Sequence, residues 1–368
     1  MASVFHKLVL VLCCFLFSCV PQWADAHPLS RFASLIRFTN SVTLFPTPEL
    51  DPGRPIGATA FARLPYGETF FKKATGRCSN GLLMIDYIAM DAGLPFLPPY
   101  KNLDAADFEH GVNFAVAGST ALPSQVLAAQ HIFSPVTNSS LNVQLEWMFT
   151  HFNSICLNSR DCVEKLQNAL FMVGEIGGND YNYAIFQGKT MEELKAWCRM
   201  LSLPSSMLPG NRSGGKRVVI PGNFPIGCLP IYKTAFQTNI SAAYDENQCL
   251  NHLNEFAKYH NEELQKAIHT LKQRKPNAVV VYADYYNAYQ FLLKVATSHG
   301  FEREKACCGT GGKYNFNMMR MCGGAGVEVC SHPERYMSWD GVHLTEKGYK
   351  IMAAWLLNNI FPHLLCHF

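Results

Sequence analysis

Leu170-Phe171-Met172-Val173-Gly174-Glu175-Ile176-Gly177-Gly178-Asn179-Asp180 decides how this chain folds. Its first seven residues, Leu170 to Ile176, form a run with β-branched members that is apolar but for Glu175, and polar residues follow at once. That is the pattern of a parallel strand buried on both faces, delivering a loop at its carboxyl end, where open α/β sheets keep their sites. An Asn at such a strand end can give its side-chain amide to a developing oxyanion, and an Asx-turn explains Asn179 equally well.

The pattern repeats outward. Val218-Val219-Ile220-Pro221-Gly222-Asn223 reads as a second strand and loop, and Ala278-Val279-Val280-Val281-Tyr282-Ala283-Asp284 as a third. Between them Leu253, Phe256, His260, Leu264, Ala267, Ile268 and Leu271 share one helical face, with His260 as its polar boundary residue. Strands separated by helices of this length give a parallel sheet with helices on both sides. Upstream, a helix-like stretch runs from Leu82 to Ala89. His110 to Ser119 reads as a short alternating strand ending in small residues. Gly118 there lets a backbone N–H approach a ligand with no Cβ in the way, as an oxyanion donor requires, though a plain tight turn explains it too. Leu141, Leu145, Met148, Phe149 and Phe152 predict an amphipathic helix over 141–153 with that stripe in the core.

Near the C-terminus stands Trp339-Asp340-Gly341-Val342-His343-Leu344-Thr345. An Asp three residues before a His can fold its carboxylate onto the imidazole Nδ1 and leave Nε2 as a general base. In isolation Asp340 starting a turn beside an ordinary loop histidine is the simpler reading. Thr345 can cap a final helix whose inward face is Tyr349, Met352, Ala353, Leu356 and Ile360. The Gly- and Cys-rich residues 305–330 lead up to it as a disulfide-pinned loop.

Length allows a full core in one large α/β domain. Residues 1–26 read as a secretory signal: Lys7, an apolar run from Leu8 to Val20, then Ala24-Asp25-Ala26. The mature chain, 27–368, is expected to be a soluble single domain, since no later run nears the roughly 18 apolar residues of a membrane span. A net charge of +3 gives no footprint for nucleic acid. Of 14 cysteines three leave with the signal, and the 11 that stay are an odd set. No C-x-x-C pair exists, which argues against zinc. Asn138-Ser139-Ser140 and Asn239-Ile240-Ser241 are glycosylation acceptors if exposed. Residues 27–60 have no clear period, and Pro46, Pro48, Pro52 and Pro55 are expected to forbid a central strand or long helix there.

Taken together, Pro65-Tyr66-Gly67-Glu68-Thr69-Phe70-Phe71, Thr75-Gly76-Arg77-Cys78-Ser79, Asn113-Phe114-Ala115-Val116-Ala117-Gly118, Gly177-Gly178-Asn179-Asp180, Pro221-Gly222-Asn223-Phe224-Pro225-Ile226-Gly227-Cys228 and Asp340-Gly341-Val342-His343 resemble the plant GDSL-type esterase/lipase family, a branch of the SGNH hydrolases. The match runs from about Leu64 to Pro362. Within the family the chain looks most like secreted esterases that deacetylate plant alkaloids, of the acetylajmalan esterase kind. The resemblance implies a three-layer α/β/α sandwich on a central parallel sheet, flavodoxin-like in order. It also implies a carboxylic ester hydrolase with His343 as base, Asp340 as its orienter, and Gly118 and Asn179 as oxyanion donors. No cofactor is implied. The expected partner is a small-molecule ester, without nucleic acid or a stable membrane anchor, and a monomer is expected.

One part does not map. The family's Gly-Asp-Ser-Leu block, with its nucleophile, should lie near residues 35–52, where Arg37-Phe38-Thr39-Asn40-Ser41-Val42-Thr43-Leu44-Phe45-Pro46-Thr47-Pro48 stands instead. Ser41 is the nearest hydroxyl, a weak candidate. Codons can be chosen for Ser41 to Pro48 that, read two bases along, give Arg-Asp-Ser-Ile-Ser-Asp-Thr and then Gly. Residues 197–214 behave alike: two prolines interrupt an expected helix, and a frame one base earlier restores it while removing Cys198, leaving ten mature cysteines. The chain as written is therefore either an ester hydrolase with an altered frame in two patches, or a catalytically dead secreted protein that binds a small ester or glycoside. A non-functional allele that fails to fold is the third outcome.

Overall fold

The computed structural model describes residues 41–44, 60–101, 107–175, 177–198 and 217–365. Its centre is a five-stranded, wholly parallel sheet: β1 (Ser41–Leu44), β2 (Gly111–Asn113), β3 (Leu170–Val173), β4 (Arg217–Pro221) and β5 (Val279–Ala283), in the order β2-β1-β3-β4-β5. Val42 lies opposite Val112 on one side and Phe171 on the other, and Val219 pairs with Met172 and Val281. This is the flavodoxin-like order, in which the chain reverses its direction of growth beside β1, so that the loops leaving the carboxyl ends of β1 and β3 flank a crevice.

Ten helices cover the sheet among the described residues. They are α1 (Met84–Asp91), α2 (Ser124–Ala129), α3 (Leu141–Ile155), α4 (Ser159–Leu166), α5 (Gly178–Phe186), α6 (Met191–Trp197), α7 (Pro230–Ala235), α8 (Asn251–Arg274), α9 (Tyr285–His299) and α10 (Glu346–Leu365). Because successive side chains of a strand point to opposite faces, β3 splits its residues between two cores. Leu170 and Met172 join Ile85, Ala184, Leu292 and Met352, whereas Phe171 and Val173 join Leu145, Phe152, Leu166 and Ile268. Two cores with one sheet between them make the three layers. The unbroken apolar run Leu-Phe-Met-Val of β3, buried at all four positions, follows from having no solvent face.

Several expectations change here. A central strand does form within 27–60: Ser-Val-Thr-Leu ends two residues before Pro46, so the prolines bound β1 without entering its ladder. Residues 27–40 and 45–59, the signal segment and residues 199–214 of the second patch lie outside the described residues. The helix predicted at 141–153 is α3, but Phe149 is 37% exposed, and Gln144 and His151 take the buried places. Leu141, Leu145, Met148 and Phe152 stay buried, and the arc they share with Gln144 and His151 leaves Phe149 at its edge. His260 is buried, its Nδ1 2.8 Å from the Tyr181 hydroxyl, and burial pushes its pKa down to about 4. The final helix keeps its expected face, with Tyr349, Met352, Ala353, Leu356 and Ile360 all buried. Thr345 Oγ1 accepts from the Gly348 N–H at 3.1 Å, the N-cap geometry.

Disulfides join Cys156–Cys162, Cys228–Cys249, Cys307–Cys330 and Cys308–Cys322. Cys78 and Cys198 are free and buried. Without Cys198 one unpaired thiol, Cys78, is left among the described residues; Cys366 lies outside them.

Candidate active site

The Asp340 loop is built from both sides. β6 (Glu302–Ala306) pairs in parallel with β9 (Tyr336–Ser338), and the two-residue ribbon of β7 (Cys308–Gly309) and β8 (Glu328–Val329) lies between them in sequence. Cys307 and Cys308, each in a disulfide, donate their N–H groups to Ser338 O at 3.0 Å and Trp339 O at 2.7 Å. The pinned loop thus holds the residues that precede Asp340. Gly341 follows at φ +93°, and a Cβ on it would stand 2.2 Å from a ring carbon of Phe316, so only glycine turns the chain here.

That turn wraps the Asp340 carboxylate. Oδ1 accepts from the N–H groups of Val342 at 3.0 Å and His343 at 2.7 Å. Oδ2 lies 2.7 Å from His343 Nδ1 and accepts from the Tyr66 hydroxyl at 2.8 Å. The Asp340 side chain is fully buried and that of His343 is 26% exposed, so the ring has an open edge while its partner does not. Burial pushes Asp340 up, but the ring beside it and the two N–H groups more than reverse this, and it stays below its ordinary value. Burial pulls His343 down, yet Asp340 and then the Cys78 thiol alongside carry it well above. With Nδ1 committed to Asp340, Nε2 is the nitrogen left to take a proton.

The second half of the site follows β2 and β3. Gly118 has φ +76°, and a Cβ on it would lie 2.4 Å from Val136 Cγ1 and 2.9 Å from the Tyr183 hydroxyl oxygen. Tyr183 donates to Gly118 O at 2.8 Å, leaving the glycine N–H as the donor that this turn can offer. Asn179 sits in the first turn of α5, not on a strand end, because Gly177 at φ +98° starts the helix at once. Its Nδ2 spends one N–H on Ser119 O at 2.9 Å and keeps a second. Asp180 locks the same loop by accepting from Ala121 N at 2.7 Å and Leu122 N at 2.9 Å.

Gly118 and Asn179 are therefore joined through Ser119, and Asp340 and His343 through their own bond. The first turn of α7 ties the two pairs together. Ile231 N donates to Gly341 O at 3.0 Å, while the Tyr232 hydroxyl donates to Asn182 Oδ1, and Asn182 Nδ2 reaches Asn179 Oδ1 at 3.3 Å. Glu175, at the carboxyl end of β3, faces His343; burial pushes its pKa up to about 8. Ser41 opens β1 at its amino end, opposite Leu170, and the site gathers at the carboxyl ends. Three residues of rise, about 10 Å, separate its backbone from that edge. Residues 45–59, which follow β1 in sequence, lie outside the described residues.

Tyr66, Cys78, Glu175 and the start of α7 carry no short-range signal. Tyr66 and Asp340 are 274 residues apart, and nothing in a pattern of spacing joins them. The one available hint for Tyr66 was its place in the Pro65–Phe71 block.

The chain matches the model of the GDSL-like lipase/acylhydrolase family over residues 59–356. A GDSL esterase/lipase of Arabidopsis thaliana is 40% identical over 371 residues, covering 97% of this chain and 93% of its own length. A second from the same plant is 41% identical over 338 residues, with 89% and 82% covered, and a third is 46% identical over 275 residues, with 73% and 83% covered.

Proposed function

The chain belongs to the GDSL-like lipase/acylhydrolase family and is by that membership a carboxylic ester hydrolase, and on that premise we propose that it is secreted and cleaves small acetylated or acylated plant metabolites. The observation that carries the chemistry is the 2.7 Å bond from His343 Nδ1 to a fully buried Asp340, in a loop tied through α7 to Asn179. A hydroxyl adds to the ester carbonyl as His343 takes its proton. The Gly118 N–H and the Asn179 amide hold the oxyanion. His343 then returns the proton to the departing alcohol, and water, activated by the same ring, releases the acid.

The nucleophilic serine is supplied by the frame that reads Arg-Asp-Ser-Ile-Ser-Asp-Thr over residues 41–48, whose first Ser falls at positions 43–44, the carboxyl end of β1. Support comes from the family match, which begins at residue 59, just past that stretch. Deacetylation of a plant alkaloid is the substrate reading that the sequence blocks favour. Secretion rests on the apolar leader and on the disulfide-rich described residues. The missing serine favours one second reading, a secreted binder that keeps the pocket without turnover. Sequencing the transcript across residues 35–55 and 196–215 checks the frame, and bases that cannot encode Asp-Ser in any frame refute it. Hydrolysis of p-nitrophenyl acetate by the purified chain supports the esterase, and binding of a substrate ester without turnover supports the binder.

A further inference from the structure

Asp340 serves two side chains through one oxygen. Oδ2 receives His343 Nδ1 at 2.7 Å and the Tyr66 hydroxyl at 2.8 Å, while both bonds to Oδ1 come from the backbone. Tyr66 is thus a side-chain donor on the carboxylate from outside the Asp340–His343 loop.

The surrounding structure holds that hydroxyl in place. The ring is 1% exposed and packs edge-on between Phe61, at 5.0 Å between centroids, and Trp339, at 6.1 Å. Phe61 in turn meets the His343 ring edge-on at 5.7 Å. The backbone beyond Tyr66 is fixed by Gly67 N to Ser79 O at 2.9 Å and Thr69 N to Asn80 O at 2.7 Å. A Cβ on Gly67 would lie 2.2 Å from Lys73 O. Burial and then Asp340 push the phenol far above its ordinary range, so it stays a donor at every working pH. The other groups facing the pair are Cys78 before α1, Glu175 after β3 and Tyr349 on α10, with Arg63 beside Tyr66.

We propose that Tyr66 is a positioning residue of the hydrolase site, whose hydroxyl disperses the charge of Asp340 and so sets the pH at which His343 becomes a base. A carboxylate that already accepts a hydrogen bond pulls less strongly on an imidazolium. The tyrosine helps most when the ring is neutral and the carboxylate charge is uncompensated, so it favours loss of the imidazolium proton. Removing the hydroxyl raises the pKa of His343. The effect on rate rests on the esterase reading; the effect on titration does not.

The test compares the full chain with Tyr66→Phe by NMR titration of the His343 ring, its signal assigned by loss in His343→Gln, and by the pH profile of kcat/KM for p-nitrophenyl acetate. The His343 titration is expected to move up by about 0.5 pH unit or more. The acid limb of the rate profile should move with it, and kcat at neutral pH should fall with KM unchanged. Placing 3,5-difluorotyrosine at position 66, a stronger donor of the same shape, should move the titration down, which keeps the idea testable if Tyr66→Phe does not fold. An unchanged titration in either protein, or shifts in the same direction in both, overturns the proposal. No turnover by the protein carrying the Arg-Asp-Ser-Ile-Ser-Asp-Thr frame, with the titration shifts intact, counts against the esterase reading alone.

Discussion

Asp340 shows how much one side chain can organise. Four hydrogen bonds converge on it, two of which shape its own turn, one of which holds the His343 ring, and one of which comes from 274 residues away. Asp340→Asn keeps the shape but presents an amide to Nδ1, so the ring loses its tautomer preference and the imidazolium its counter-charge. In the protein carrying the Arg-Asp-Ser-Ile-Ser-Asp-Thr frame the turnover number for p-nitrophenyl acetate should fall by about 10³-fold or more, with KM little changed. The raised His343 sets the pH dependence. Its ring is protonated below a pKa well above the ordinary histidine value, so kcat/KM should climb with pH through that pKa. A profile already flat at pH 6 contradicts this.

Among the elements, the short α7 has the clearest role, since its neighbours Ile231 and Tyr232 hold the two halves of the site. Tyr232 is buried, and Tyr232→Phe removes only the bond to Asn182. The Asn182–Asn179 contact then loses its anchor, so kcat should drop about 10-fold while the melting temperature moves by only a few degrees. Kinetics and a thermal melt on the same preparation check both halves.

The same elements show what the sequence made legible. Asp340 and His343 were readable because three residues suffice to bring them together. Gly118 and Asn179 were readable through strand-and-loop logic, since parallel strands deliver their loops to one edge. Phe149 was misread because a helical period leaves the stripe's rotation open. β1 was missed because prolines just past its end looked like prolines inside it. Tyr66, Cys78, Glu175 and α7 reach the site only through the folded topology, and the cysteine spacings announced a pinned loop without saying which sulfurs pair.

For the whole molecule, the buried Glu175 makes stability depend on pH. Its folded pKa of about 8 lies above the ordinary 4.5, so the folded state binds a proton that the unfolded chain has released. The stability contributed by this group is full below pH 4.5 and is lost as pH rises through about 8. Glu175→Gln removes the dependence, and its melting temperature should exceed that of the wild type by about 3 °C at pH 8, with the gap closing toward pH 4.5. An equal gap at both pH values would refute the assignment. The exposed Asn138 and Asn239 should carry glycans when the chain is made through a secretory pathway. Treatment with an N-glycosidase should lower the mass, and by less in Asn138→Gln.

The central claim is that a family-type nucleophile is encoded by the shifted frame over residues 41–48, with His343 as its base. The most direct measurement is p-nitrophenyl acetate hydrolysis by the chain as written and by the same chain carrying Arg-Asp-Ser-Ile-Ser-Asp-Thr-Gly in the shifted frame, each with and without His343→Ala. The account predicts turnover by the shifted-frame protein that is at least about 10³-fold faster than by the chain as written and that His343→Ala abolishes. Equal rates in the two proteins, or turnover that survives His343→Ala, would contradict it.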